Sequence, residues 1–401
     1  MFINRAGTLL VPFLTLYLNK KLGLGPATAT LAMGAYGVGA LAAGILGGHL
    51  ADRFGRRVIM LIALFGGAGI LLVFAELTSP AAILVASGTF ALVVEMYRPA
   101  ASAMIGDLVE PERRSHAFGL MYVAINLGFS VGPIVGGMLM VYSYRWLFWG
   151  DALTSAAYGL LILIAIRETL PSRQPAEAAR AGGVSPPDES GNAGEEVSLS
   201  AAVKHILNNR PFMIFCFGTF CIAYLFMQTM STFPLHMNDY GIGPEVYGRI
   251  IAINGMMIVC LQLPMTAIIS RFDRSWVMIW GTVVMGVGFG LIAFAGNVWE
   301  FAGATMIWTF GEMMQVPLAP AIVTDFAPVA MRARYMGVFG MCWAGAMMIG
   351  APVGGLVLEH FGGYWMWGSC AAVAVVSAVA YWSIRRAVRD VREVGATPMC
   401  P

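Results

Sequence analysis

Four ionisable side chains, Arg5, Glu95, Arg98 and Glu312, sit far inside long apolar runs of the chain. A charge in that setting is costly, and it is retained for moving ions or protons or as half of a pair. Glu95 and Arg98 are three residues apart, so on a helix they share a face. A static buried ion pair and a working one are both open there. Glu312 has no arginine on its own helix, and Gln315 follows it at the same spacing. A carboxyl that takes up and releases a proton needs burial away from a permanent cation. Glu312 is therefore the first candidate for proton exchange. Glu95 is the second, released when Arg98 turns to another anion. Asp151, toward one end of its apolar run, is the third.

Other polar and aromatic side chains fall near the middle of such runs: Tyr36, Asn126, Tyr224, Gln228, Asn254, Trp308, Gln315 and Trp343. Together with Arg5, Glu95, Arg98 and Glu312 they are the expected lining of a substrate cavity, although each aromatic taken singly is more often packing. The 27 methionines suit an adaptable apolar pocket, and equally plain core packing. Six cysteines show no metal-ligand spacing, and the five histidines all lie near loops. No Ser/His/Asp set is present. The chain reads as neither an enzyme nor a metal or cofactor protein.

The elements that must position these residues follow from composition. The 401 residues are 58% hydrophobic and 11% charged, against about 45–50% and about 25% in a soluble domain. A net charge of +2 gives no reason to expect nucleic acid. About 20 apolar residues cross a bilayer as a helix, and twelve runs qualify: 2–19, 28–50, 57–76, 82–106, 115–140, 145–167, 211–235, 246–270, 275–297, 300–324, 333–358 and 363–385. They are called spans 1 to 12. Residues 168–208 are poor in large apolar side chains and read as a solvated, disordered linker. The expected organisation is a bundle of six helices over 1–167, the linker at 168–208, a second bundle over 209–386 and a tail at 387–401. With the N-terminus inside, eighteen of the 24 lysines and arginines fall in cytoplasmic segments and four outside. By the positive-inside rule both termini and the linker are cytoplasmic.

The two halves repeat at an offset of 218 positions. Arg53-Phe54-x-Arg56 matches Arg271-Phe272-x-Arg274. Pro99 and Asp107 match Pro317 and Asp325, and Tyr36 matches Asn254. Gly132, Gly136 and Gly137 match Gly350, Gly354 and Gly355. Two parallel six-helix halves fit a transporter that rocks about a midplane site. The repeat also gives the first segment a partner in span 7, which argues against a signal peptide. Span 7 starts near Pro211, so span 1 reads about two turns short, either because the chain starts within the leaflet or because its start codon is set too late. Arg5 corresponds to Ala223, in mid-span.

Two motifs carry a resemblance. Gly48-His49-Leu50-Ala51-Asp52-Arg53-Phe54-Gly55-Arg56-Arg57, between spans 2 and 3, resembles the signature loop of the major facilitator superfamily. Gly128-x-x-x-Gly132-Pro133-x-x-Gly136-Gly137 in span 5 is similar to the antiporter motif of its twelve-span drug/proton antiporters. The resemblance covers essentially the whole chain and implies an all-α membrane protein of two pseudo-symmetric six-helix bundles. It implies a conformational latch formed by Gly48, Asp52, Arg53, Gly55, Arg56 and Arg57 with Asp107, where Asp52 caps the turn, Arg56 is shared and Gly48 admits span 11. The second-half copy carries Ser270 where Asp52 would be. In span 5 the glycines remove bulk along one face, and Pro133 bends the helix.

The expected function is proton-coupled efflux of amphipathic or drug-like small molecules, with a proton gradient and no cofactor. The chain is expected to act as a monomer in lipid, in a bacterial cytoplasmic membrane. The alternative is proton-coupled transport of an anionic metabolite bound by Arg5 and Arg98. The stretch from Asn4 to Leu18 is also faintly similar to peptide symporters, without their acidic cluster. A membrane sensor is a third class, for which the linker offers no recognisable domain.

Overall fold

The computed structural model describes residues 2–168, 199–328 and 331–396. All regular structure among them is helical. Nine helices are long and apolar enough to cross a membrane by length and composition. The shortfall from the twelve expected spans arises at three places. Span 1 is interrupted, running as Phe2–Ala6, a 3-10 turn at Val11–Phe13 and then Leu14–Leu22. Span 10 is interrupted between Val298–Gln315 and Ala319–Phe326. Spans 11 and 12 follow one another as Arg332–Ser383, two helices meeting at Gly362, whose φ of 78° and ψ of 173° suit a residue without a side chain.

Proline sets two of the breaks. Span 4 stops as Pro80–Glu95 and resumes as Tyr97–Leu108, with Pro99 in the first turn of the second piece. A proline within a helix removes the bond to the carbonyl four residues back, here that of Glu95. Its repeat mate Pro317 lies in the break of span 10. The duplication thus interrupts both helices just beyond Glu95 and Glu312.

The halves meet along spans 1, 2 and 5 on one side and 7, 8 and 11 on the other. Thr15 donates to the Ser231 carbonyl at 2.9 Å, and the Ala27 N–H donates to Glu359 Oε2 at 2.7 Å. A Cβ on Gly37 would fall 2.4 Å from the main-chain nitrogen of Met348, and one on Gly248 would fall 2.1 Å from the Pro133 carbonyl oxygen. These contacts lie toward the end carrying the loops near residues 22–26, 239–243 and 359–363, here called the closed end. Toward the other end the same two helices separate. Gly44 and Gly48 in span 2, and Gly337 and Gly340 in span 11, have nothing within 4 Å of where a Cβ would sit.

The linker expectation needs correction at its end. Leu199–Asn208 is a helix, because Val203, Ile206 and Leu207 give that short stretch an apolar side. Ile206 is 4% exposed, and Tyr335 of span 11 meets both His205 Nδ1 and Asn209 Nδ2 at 3.1 Å. Residues 169–198 lie outside the described residues. The start of the tail is also docked: in Arg385–Ala396, Val388 is buried and Arg389 approaches Asp273 at 3.9 Å.

Candidate functional site

The duplication gives each half one carboxyl beside its span-4 or span-10 break, and each receives a donor from the matching helix. In the first half the Tyr36 hydroxyl donates to Glu95 Oε1 at 2.9 Å. In the second, Asn254 Nδ2 donates to Glu312 Oε2 at 2.6 Å and to Thr309 Oγ1 at 3.2 Å. Tyr36 and Asn254 are repeat mates, although the carboxyls they hold are one position out of register.

The two carboxyls differ in charge balance. Arg98 Nε lies 2.8 Å from Glu95 Oε2, with side-chain exposures of 64% for Arg98 and 12% for Glu95. The arginine therefore projects from the pair while its partner is enclosed. Glu312 is 7% exposed. Among the described residues no basic side chain pairs with it. Its single side-chain hydrogen-bond donor is an amide. A buried carboxyl of that kind can be neutral by holding a proton or by holding a cation, which is the chemistry an exchanger needs.

Arg5 lies against span 5, where a Cβ on Gly128 would come 2.6 Å from Arg5 Cβ. Its Nε is buried without a hydrogen-bond partner. Arg5, Tyr36, Glu95 and Asp151 share the wall of a small cavity of about 30 Å³. Asp151 is 5% exposed and accepts from the Leu9 and Leu10 N–H groups.

Several expected cavity residues point elsewhere, which corrects the sequence reading. Gln228 is fully buried, donating to the Gly350 carbonyl at 2.9 Å and accepting from Thr232 at 3.0 Å. Gln315 accepts from Thr282 of span 9 at 2.6 Å. Trp308 is 1% exposed and stacks on Phe289 with ring centres 5.5 Å apart. All three are turned into the second bundle. Neighbouring helices hold the two glutamines and enclose the tryptophan, whose Nε1 is buried without a hydrogen-bond partner. Trp343 is half-buried beside Phe226, with ring centres 5.8 Å apart. Tyr224 is half-buried against Gly350, and Asn126 is half-buried with its carbonyl accepting from Ser130.

At the parted end, the side chains of Asp52 and Asp107 lie outside the described residues. Gly48 faces open space, so the expected close approach of span 11 is absent in this conformation. Gly55 has φ 107° and ends span 2. Arg53 lies over the Phe54 ring. Arg56 donates to the Ala103 carbonyl at 3.3 Å, and Arg57 donates to that of Leu163. Sequence reasoning missed Glu168, whose carboxylate accepts from the Arg56 and Arg57 N–H groups at 2.9 and 3.1 Å. It caps the first turn of span 3. In the second half Asp273, the mate of Gly55, performs that task locally by accepting from Ser275 and Trp276. The glycine turn has no side chain to offer, so the acceptor comes from the end of span 6. The second half also keeps an ion pair, Arg274 to Asp325 at 3.0 Å, the counterpart of Arg56 and Asp107.

The span 5 motif divides its work. Gly128, Gly132 and Gly136 pack on span 1, within reach of Arg5, Ala6 and Phe13. Gly137 and the Pro133 carbonyl face span 8, where a Cβ on Gly137 would lie 2.6 Å from the Pro244 carbonyl.

A helical duplication with buried charges at its centre defines a membrane transporter. The sequence profile of the Major Facilitator Superfamily matches residues 2–242 and again 215–398. The chain belongs to that superfamily. It is 28% identical to a Na(+), Li(+), K(+)/H(+) antiporter of Planococcus maritimus, over 95% of this chain and 92% of that protein. It is 22% identical to the multidrug resistance protein MdtH of Photorhabdus laumondii, over 89% of this chain and 82% of that one. A crystal structure of a glutamate-to-glutamine mutant of the peptide transporter POT in complex with sulfate superposes with a TM-score of 0.78 at 18% identity, over 97% of this chain and 93% of the other.

Proposed function

We propose that this transporter is a proton-coupled antiporter that exports cationic amphipathic or drug-like molecules by alternating access. The observation that carries this reading is Glu312, enclosed, held by Asn254 and without a basic partner among the described residues. Proton and cation are alternative ways to neutralise that carboxyl. Because they exclude one another, flow of one drives the other in the opposite direction. The similarity to a Na(+), Li(+), K(+)/H(+) antiporter and to a multidrug resistance protein supports the reading. It adds small monovalent cations to the compounds worth testing.

The twelve spans, the cytoplasmic membrane, cytoplasmic termini, a monomeric unit and a proton gradient without cofactor all belong to this proposal. With that orientation, the closed end is outside and the conformation is open inward. Gly48 is then clear of span 11, and the close approach of the two helices would form when the inner end closes.

The test is exchange in proteoliposomes under an imposed pH gradient, with ethidium, Na⁺, neutral and anionic compounds supplied in parallel. Glu312→Gln is expected to abolish proton-driven exchange while the protein stays folded. Full exchange in that variant overturns the assignment. One observation favours the second reading, transport of an anionic metabolite: the Arg98 side chain is 64% exposed while its Nε pairs with Glu95. Competition by anions, lost in Arg98→Ala, would select it.

A further inference from the structure

Asp151 stands apart from the Glu312 site, in the other bundle. Its Oδ2 accepts from the main-chain N–H of Leu9 at 3.1 Å and of Leu10 at 3.3 Å. Both donors lie in the interruption of span 1, between Phe2–Ala6 and Val11–Phe13. A broken helix frees polar main-chain groups that have no water to turn to within a membrane. Here a carboxylate from span 6 takes that of Leu10 and shares that of Leu9 with the Gly7 carbonyl, 2.8 Å from the Leu9 nitrogen. The break is confined on two sides. A Cβ on Gly7 would fall 1.8 Å from Thr154 Oγ1 in span 6, and one on Gly132 would fall 3.2 Å from the Ala6 carbonyl oxygen. The turn therefore cannot shift without changing its bonds to Asp151.

The cavity beside Asp151 supplies a path. Its wall includes Asn4, Arg5, Tyr36, Glu95, Tyr97 and Ser155. At about 30 Å³ it has room for one or two waters. Such a water would give Arg5 Nε the partner it lacks. The titratable and charged groups facing Asp151 are Arg5 from span 1, Tyr36 from span 2, and Glu95 and Tyr97 from span 4. Tyr158, on its own helix, is bonded to Tyr97. Glu95 connects this cluster to Arg98, which projects from it.

We propose that Asp151 is a second proton-exchanging carboxyl, and that its protonation is transmitted to the broken turn of span 1 through the N–H groups of Leu9 and Leu10. The proposal rests on the proton-coupled antiport reading and adds a sensor in the first bundle. A proton passes from Glu95 through cavity water to Asp151 and leaves by the same carboxyl, so no heavy-atom bond forms or breaks. Neutral Asp151 is a weaker acceptor for its two N–H donors. Arg5 is then left with Glu95 as the anion facing the cavity. Span 1 loosens at its break when the proton is bound and tightens when it leaves. With Glu312 in the other bundle, the chain moves two protons per cycle.

The experiment uses the full chain in proteoliposomes, with the membrane potential clamped at zero and ethidium or Na⁺ as the probe. The cargo gradient at which net flux reverses is measured against a pH gradient of one unit. Two protons per monovalent cation predict reversal at about 100-fold for the wild type and Asp151→Glu, and about 10-fold for Asp151→Asn. Equal reversal in the wild type and Asp151→Asn overturns the proposal. Should Asp151→Asn fail to fold, hydrogen exchange of the wild-type 2–13 segment, corrected for the intrinsic pH effect, decides the matter. Protection at Leu9 and Leu10 is expected to fall severalfold on acidification and to do so equally in Glu312→Gln. Constant protection overturns the proposal. Absence of proton-coupled flux of any compound in the wild type sinks the antiport reading instead, and the exchange measurement then still judges Asp151.

Discussion

Gly37→Ala tests whether the glycine-lined contact between spans 2 and 11 is the surface that shuts one end of the transporter. The added Cβ would lie 2.4 Å from Met348 N, 2.6 Å from Met348 Cα and 2.8 Å from Met347 C. All three are main-chain atoms of the facing helix, so none can rotate away. Restoring ordinary contact requires the helices to part by about 1 Å. Overpacking of this kind costs about 1–3 kcal/mol. At about 1.4 kcal/mol per tenfold, the closed state loses roughly 5- to 150-fold in weight against any state in which this contact is open. Alanine also favours a helix over glycine by roughly 0.5–1 kcal/mol, in every conformation alike. Gly44→Ala on the same helix carries that gain without the clash, because nothing lies within 4 Å of its Cβ position. Spin labels at Lys21→Cys and Phe361→Cys, both exposed at the closed end, report the separation by pulsed dipolar spectroscopy. The wild type and Gly44→Ala should give one short distance, and Gly37→Ala a second, longer one. A folded Gly37→Ala with the wild-type distribution refutes the reasoning.

Three further outcomes follow from the side-chain geometry. Gln228→Leu should lower thermal stability by about 2 kcal/mol, through the partners it leaves buried, while KM for any transported cation stays unchanged; a change in KM alone would restore it to the cavity wall. Glu168→Gln should weaken the start of span 3 by about 1 kcal/mol, read as a lower Tm, and an unaltered Tm would show the cap to be idle. Arg274 and Asp325 are each about one-third exposed, so a double-mutant cycle should give a coupling below about 1 kcal/mol; a larger value would mark the pair as a structural lock.

Spacing alone made part of the site legible. Glu95 and Arg98 pair as their i,i+3 placement requires, and the repeat that matched Tyr36 with Asn254 also matches their roles as donors to carboxyls. The repeat prolines, Pro99 and Pro317, even mark where spans 4 and 10 break. The facing of single residues was not legible. Both the lipid and the bundle interior are apolar, so the pattern around a helix does not separate the wall of a cavity from a packed core. Gln228, Gln315 and Trp308 were misplaced for that reason. Glu168 was hidden because its partners are main-chain N–H groups more than a hundred residues away, and main-chain groups leave no mark in a sequence. The nearness of Asp151 to span 1 was hidden for the same reason.

The surface that joins the halves is built chiefly from glycines and main-chain atoms: Gly34 and Gly37 against Met348 and Pro352, Gly248 against Pro133, Gly355 against Pro26 and Thr30. Much of its fit is a matter of backbone shape, beside a few side-chain contacts such as Thr15 with Ser231, Glu359 with Ala27 and Phe13 with Tyr247. Residues that face a passenger can therefore be exchanged without retuning the hinge. A diversified library restricted to cleft-facing positions should alter which compounds are carried and leave the opening equilibrium in place. The joining glycines should tolerate almost nothing else. Selectivity and motion are separately heritable in a molecule built this way.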